Sequence, residues 1–319
     1  MRRLLLALAL LVAGCPKPEG PTQPNAAPVE VPPDSWLALA PREVAPASGA
    51  ALLEKGRALY IKRCAECHGA SGAGDGPKAR TTPFLPRDFR QGIFKLRSTP
   101  SGTMPTDADL FRTITRGVPG GGMPGTADLS EPERWAVLRY VQELTIADEE
   151  DEQREPIAIP APPKADADAP KRGRAVYLLL RCWVCHGPAG DGVGARSTEM
   201  IDDWGNPIRP PDLSKPWPYK GGYTQQDLYR TLVTGFDGSP MPAYGGSSGW
   251  LPVKGDFSGN WQERFSRDLP KTAVADLAWF AAQLPESLPR DSAAKDKIAE
   301  NYFYDLTAYI RATFPSTSK

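Results

Sequence analysis

Cys64-Ala65-Glu66-Cys67-His68 and Cys182-Trp183-Val184-Cys185-His186 are the two stretches on which the reading of this chain turns. A Cys-x-x-Cys-His run places two thiols near one edge of a helix start, at the spacing that forms thioethers with the two vinyl groups of a haem. The adjacent His then reaches the iron. A zinc site and a thioredoxin-like redox pair also use Cys-x-x-Cys, but neither explains the His. The chain has two His residues, His68 and His186, and each directly follows such a pair. The runs therefore predict two covalent haems, attached through Cys64 and Cys67 and through Cys182 and Cys185.

Outward from these runs the sequence repeats itself. Gly56-Arg57-Ala58-Leu59-Tyr60 precedes the first run and Gly173-Arg174-Ala175-Val176-Tyr177 the second. Downstream, Asp109-Leu110-Phe111-Arg112-Thr113 matches Asp227-Leu228-Tyr229-Arg230-Thr231, and Gly117 with Met123 matches Gly235 with Met241. Duplication of one domain, each copy with its own core, accounts for so many ordered matches. Each copy reads as a helix entering the cysteine pair, a middle helix and a closing helix, with no strand pattern. Ser130-Glu131-Pro132-Glu133 is a capping box that starts the first closing helix, on which Trp135, Leu138, Val141 and Leu144 share a face. Thr272 to Leu284 reads as its counterpart. Against that pattern, Gly245 to Leu269 is an insert and Ala293 to Phe314 an added helix.

With both His residues used on the proximal side, the distal ligand of each iron has to be another group. Thioether sulfur from Met is the usual partner, and as a soft neutral donor it favours ferrous iron. Met123 in Gly120-Gly121-Gly122-Met123-Pro124 and Met241 in Gly238-Ser239-Pro240-Met241-Pro242 hold equivalent places in the repeat, which selects them over Met104 and Met200. Met104 is the rival in the first half, because Thr103-Met104-Pro105 also lies between the cysteine pair and the closing helix.

These residues together resemble the small class I c-type cytochromes, and in particular their tandem di-haem members. The resemblance covers about residues 49–144 and 171–284. It rests on the two attachment runs, the glycine loops Gly72-Ala73-Gly74-Asp75-Gly76 and Gly190-Asp191-Gly192, the Met-Pro segments and the aromatic closing helices. It implies a mostly α fold of two tandem class I cytochrome c domains, each a small helical domain around one haem c. In that family a Pro carbonyl after the loop accepts a hydrogen bond from the proximal His. Pro86 and Pro210 match that place, with loop-forming Pro the plain alternative. Tyr60, Trp135, Tyr140, Tyr177, Trp279 and Phe280 are expected at haem edges or helix crossings, where core packing alone would also account for them. Arg97, Lys95 and Lys220 are candidates to pair with haem propionates, but a basic side chain on a loop is more often simply solvated, and no ligand role is assigned to them.

The amino terminus reads as an export signal: Met1-Arg2-Arg3 and the apolar run Leu4 to Ala13 over residues 1–14. Such a run is too short to cross a bilayer, which needs about 20 residues. Val12-Ala13-Gly14-Cys15 resembles the bacterial lipoprotein box, which implies cleavage before Cys15 and lipid on its thiol. An ordinary secreted protein with an incidental Cys is the alternative. Residues 15–48 then form a Pro-rich tether, 49–146 the first cytochrome domain, 147–169 an acidic Pro-rich linker and 170–319 the second domain with its insert (245–269) and added helix. Lys plus Arg and Asp plus Glu both total 38, which points away from nucleic acid.

Irons filled on both axial sides offer one-electron exchange and no vacancy for substrate. The expectation is thus a periplasmic, membrane-anchored electron carrier, or an electron-transfer subunit rather than an enzyme. Its partners would be redox proteins, such as a membrane respiratory complex or a periplasmic dehydrogenase. The competing readings are a di-haem peroxidase, which needs further His ligands, a thiosulfate-oxidising cytochrome, which commonly uses a distal Cys, and a haem-based gas sensor with an open position.

Overall fold

A Cβ added to Gly56 would stand 2.0 Å from the carbonyl oxygen of Ala136, and one added to Gly173 would stand 1.9 Å from that of Asp305. Both glycines sit mid-helix, where Gly weakens the helix intrinsically, so their presence reports a close crossing of backbones. These two crossings organise the computed structural model, which describes residues 35–82, 84–145, 155–164, 166–215, 219–245, 250–266, 269 and 271–313. The signal segment, Cys15, most of the tether, residue 146 and residues 147–154 and 165 of the acidic linker lie outside the described residues.

In the first half, α1 (Ala50–Arg63) runs into the short α2 (Ala65–His68) that bears the cysteine pair. After a long loop come α3 (Asp107–Arg116) and α4 (Glu131–Leu144), with α4 packed across α1. The second half repeats this as α5 (Ala169–Leu179), α6 (Trp183–His186) and α7 (Gln225–Thr234), then adds α8 (Trp261–Ser266), α9 (Lys271–Ala281) and α10 (Ser292–Ala312). The described residues form helices, turns and two isolated bridges, with no strand. Local chemistry sets the helix starts. Thr106 accepts from the Asp109 amide at the head of α3, as Thr224 does from Asp227 at the head of α7. The Glu133 carboxylate accepts from both the amide and the hydroxyl of Ser130 at the head of α4.

The helix that crosses α5 is α10, and this corrects the expected match of Thr272 to Leu284 with the first closing helix. Tyr60 meets Tyr140 with centroids 5.2 Å apart and planes at 56°; Tyr177 meets Tyr309 at 5.3 Å and 59°. Phe111 packs on Trp135 at 4.9 Å, and Tyr229 on Tyr304 at 4.7 Å. Trp135 and Tyr140 thus correspond to Tyr304 and Tyr309, at the same spacing. The carboxyl-terminal helix is the closing helix, and α9 belongs to the material inserted before it. On α9, Trp279 lies under the Lys171 ammonium of α5 and Phe280 packs edge-on against Tyr302 of α10, so both sit at helix contacts, the second of them in the core.

Two apolar clusters result. One gathers Tyr60, Leu110, Phe111, Trp135 and Leu138. The other gathers Tyr177, Leu228, Leu277, Phe303, Tyr304 and Leu306. They nevertheless belong to a single compact unit, Pro33–Lys319, and polar contacts join them. The fully buried guanidinium of Arg97 donates to the Thr234 carbonyl at 2.7 Å and pairs with the Asp237 carboxylate at 2.6 Å. That carboxylate also accepts from the Ser101 hydroxyl and the Gly102 amide. Arg230 donates back to the Arg97 carbonyl at 2.8 Å, and Arg116 to the Lys220 carbonyl at 2.8 Å. Trp36, fully buried, takes Arg112 of one half and Arg230 of the other against its ring at 5.2 and 4.4 Å.

In the connector, residues 155–164 are tied to the protein at Ile157 to Pro160 while the residues on either side stay exposed. The Ile157 amide donates to Ser98 at 2.7 Å, Ile159 packs on the second core, and Tyr304 and Gln226 donate to the Pro160 carbonyl.

Candidate functional site

Each cysteine pair is set at a helix junction by the same three restraints. The first is a tyrosine: Tyr60 donates to the Gly69 carbonyl at 2.7 Å and Tyr177 to the Gly187 carbonyl at 2.5 Å, in each case at the residue after the His. Burial raises both phenol pKa values, so the hydroxyls stay donors. Next comes the glycine loop. The Gly74 amide bonds the His68 carbonyl and the Gly192 amide the His186 carbonyl, both at 2.8 Å, with φ of 74° and 78°, a backbone region open to glycine. The third is the strand of loop beyond, where Phe89 bonds Gly72 at 2.8 Å and Leu213 bonds Gly190 at 2.6 Å.

The histidines are oriented from the same loop. His68 Nδ1 lies 3.3 Å from the Arg87 carbonyl and His186 Nδ1 lies 3.2 Å from the Pro211 carbonyl. This corrects the expectation for Pro86 and Pro210 by one residue in each half. The carbonyls of Pro86 and Pro210 instead cross Gly74 and Gly192, 2.6 and 3.1 Å from where a Cβ would be, so the next peptide faces the imidazole. Burial lowers the pKa of both rings, against the raising effect of the carbonyl bond. A neutral ring that donates through Nδ1 presents its Nε2 lone pair to a metal. Phe89 stacks on His68 at 4.4 Å and 19°, fixing the ring plane further.

The expected distal residues also fall into matching loops. The Val118 amide bonds the Met123 carbonyl at 2.9 Å, and the Phe236 amide the Met241 carbonyl at 3.2 Å. Gly117 and Gly235, with φ of 72° and 62°, open these loops, and a side chain at either would strike the methionine segment. Met104 is buried near the Thr99 hydroxyl, which donates to its carbonyl, and lies outside the repeated loop. In the second half a cavity of about 380 Å³ opens between the two sides, lined by Cys182, Cys185, His186 and Met241. This is within the range of small-molecule and cofactor sites. Met200 lines the same cavity, a placement that the repeat gave no reason to expect.

The thiols themselves argue for haem over the competing uses of Cys-x-x-Cys. Burial pushes Cys64 up to about 11 and Cys182 up to about 12. A redox-active pair instead needs its thiolate stabilised. Among the described residues no group of three or more His, Cys, Asp or Glu side chains is arranged to hold a metal ion. In the second half two thiols, an imidazole and a methionine line one mostly apolar cavity, a donor set that fits a covalently bound haem. Cys15 lies outside the described residues.

The comparisons agree with this geometry. Residues 51–141 match the family described as cytochrome C oxidase, cbb3-type, subunit III. No curated protein matches the chain. Among solved structures, a chain of the reducing HAO-like protein complex Kustc0457/Kustc0458 of Kuenenia stuttgartiensis is similar at 29% identity and a TM-score of 0.63. The match covers 86% of this chain and 100% of that one. A cytochrome c domain over residues 51–141, in a helical fold with each histidine held beside its cysteine pair, supports an electron-transfer haem protein.

Proposed function

We propose that the chain is a di-haem cytochrome c that passes single electrons between redox proteins and catalyses no reaction of its own. The observation that carries this reading is the residue-by-residue equivalence of the two attachment sites: Tyr60 with Tyr177, His68 with His186, the Arg87 with the Pro211 carbonyl, and the Met123 with the Met241 loop. Haem c bound at each run would supply a one-electron couple, and each run's two cysteines, its histidine and the methionine of the matching loop would hold it. The residues hold the imidazole by its Nδ1 proton, keep the facing thioether in a glycine-bounded loop and line the second site with apolar side chains, which restricts water. Cys64, Cys67, Cys182 and Cys185 are the covalent attachment points, and His68, Met123, His186 and Met241 the axial donors, in this proposal.

Export, lipid attachment at Cys15 and a periplasmic location complete the reading, and they rest on the sequence alone. Lipid would concentrate the carrier at a membrane surface beside its partners. The similarity to a chain from a reducing HAO-like protein complex favours a redox protein as partner, and electron delivery to or from a larger oxidoreductase as the role.

Met123→Ala and Met241→Ala test the axial assignment. Each should lower one reduction potential and open one iron to carbon monoxide, while the unsubstituted protein binds it slowly. Rapid carbon monoxide binding by the unsubstituted reduced protein would favour the sensor reading instead, and turnover of peroxide or thiosulfate would favour an enzyme.

A further inference from the structure

Phe94-Lys95 and Tyr219-Lys220 hold corresponding places in the repeat, each after the proximal-His loop and before the helix that begins at Asp107 or Gln225. The fold brings these two lysines together, and it does so at the cavity of the second half. Lys95, from the first half, and Lys220, from the second, both line the space that Cys185, His186 and Met241 line. The ammonium groups lie within hydrogen-bonding reach of one another, and Lys220 also sits 3.8 Å from the Phe84 ring centroid. Arg87 is close enough to repel both, and its own guanidinium donates to the Asp237 carbonyl and covers the Trp204 ring at 4.2 Å.

Neither lysine forms an ion pair among the described residues, whereas Arg97 nearby is fully engaged with Asp237. Both lysines are half-buried beside Arg87, and the carboxylates near this group, Asp202, Asp203 and Asp237, act on Arg87, so partial burial and mutual repulsion oppose the charge of the lysines. The cost is visible here: Lys95 is pushed down to about 7 and Lys220 to about 8, mainly by burial. Asp202 is the carboxylate whose field reaches Lys95. An anion is therefore expected in the cavity itself. A haem carries two carboxylates, and the chain's other expected contacts to it, thioethers, imidazole and thioether sulfur, leave both unpartnered.

We propose that Lys95 and Lys220, backed by Arg87, are the counter-cations of the second haem's propionates, so that a side chain of the first half completes the cofactor site of the second. This rests on the reading of two bound haems. Its consequence is that the joint between the halves is part of the electrostatics of the second iron. Cations beside a haem disfavour the more positive ferric state and raise its potential.

The test uses the full-length haem-loaded protein. Mass analysis first counts the haems, and redox titration followed by visible spectra then resolves the two couples. The wave displaced in Met241→Ala marks the second haem. Lys95→Gln and Lys220→Gln should each lower that wave, Lys95→Arg should leave it near the unsubstituted value, and Lys171→Gln, a cation on Trp279 away from the cavity, should not move it. Two haems present with an unmoved second wave in both Gln variants would overturn the inference and leave the di-haem reading standing. Fewer than two haems in the unsubstituted protein would overturn both. Should the Gln variants fail to fold, acetylation of the unsubstituted haem protein decides. Pairing that raises an amine's pKa by one unit makes its reactive form about tenfold scarcer. Pairing should bring Lys95 and Lys220, otherwise at about 7 and 8, to modification no faster than that of the exposed Lys62 on α1, and modification at least about tenfold faster than that of Lys62 would contradict the pairing.

Discussion

The first half goes from its methionine loop straight to the helix that closes it, α4, whereas the second half passes through α8 and α9 before α10 closes it. Both end with the same contacts: a glycine of the entering helix against a carbonyl, and a tyrosine against a tyrosine. The difference teaches that the haem-site scaffold is defined by what crosses the entering helix, not by which helix comes next in sequence. The insert adds apolar cover, with Leu277 and Phe280 buried in the second core, without taking over that crossing.

The largest effect expected from this comparison follows from removing α10. A chain ending at Arg290 loses Phe303, Tyr304, Leu306 and Ile310, all buried, at about 2 kcal/mol each, which together approach the whole stability of a domain. It should attach haem at Cys64 and Cys67 and fail to hold a protease-resistant second half, as haem staining of tryptic fragments would reveal. A truncated chain with an intact, haem-loaded second half would make α9 the closing helix after all.

The joint between the halves comes next. Asp237→Ala leaves the Arg97 guanidinium buried without its carboxylate and should cost about 3–5 kcal/mol in chemical denaturation. Separate unfolding of the two haem chromophores, where the unsubstituted protein shows one transition, is the signature to look for. The crossings follow. Gly56→Ala and Gly173→Ala should each cost about 1–3 kcal/mol or more, since the added methyl falls on backbone that cannot turn aside. Similar falls in midpoint for the two variants would support the equivalence of α4 and α10, and a silent Gly173→Ala would break it. Smallest are Tyr60→Phe and Tyr177→Phe, each about 1 kcal/mol for a lost hydrogen bond to the glycine after the His.

What the sequence made legible was the part whose chemistry is local. The cysteine and histidine runs, the paired glycines and the Met123 and Met241 loops are short motifs whose spacing carries their geometry, and each falls in matching surroundings in the two halves. The hydrogen bond to the histidine was missed by one residue, because a Pro-x pair does not state which peptide faces the ring; the glycine opposite Pro86 and Pro210 decides that. The apolar stripe of Thr272 to Leu284 suits a closing helix and any other core helix equally well, so the sequence pattern there does not tell them apart. The aromatic pair five positions apart, Trp135 with Tyr140 and Tyr304 with Tyr309, was the signal that distinguishes α10. For Arg97, Lys95 and Lys220 the sequence offers propionate pairing and simple solvation alike, since nothing local announces that two loops far apart in sequence meet. Met200 is reached in the same way, through an extended second-half loop whose Trp204 also bonds Gln91 of the first half at 2.6 Å.

The central claim is that two equivalent sites each join thioethers, an imidazole and a methionine sulfur around one iron. Mass measurement of the intact protein together with its ferric near-infrared spectrum tests it most directly. The account predicts the mass of two haems attached at Cys64 with Cys67 and at Cys182 with Cys185, and a methionine-to-iron band of an intensity set by two centres. A single haem, or two haems of which one lacks that band in the unsubstituted protein, would contradict it.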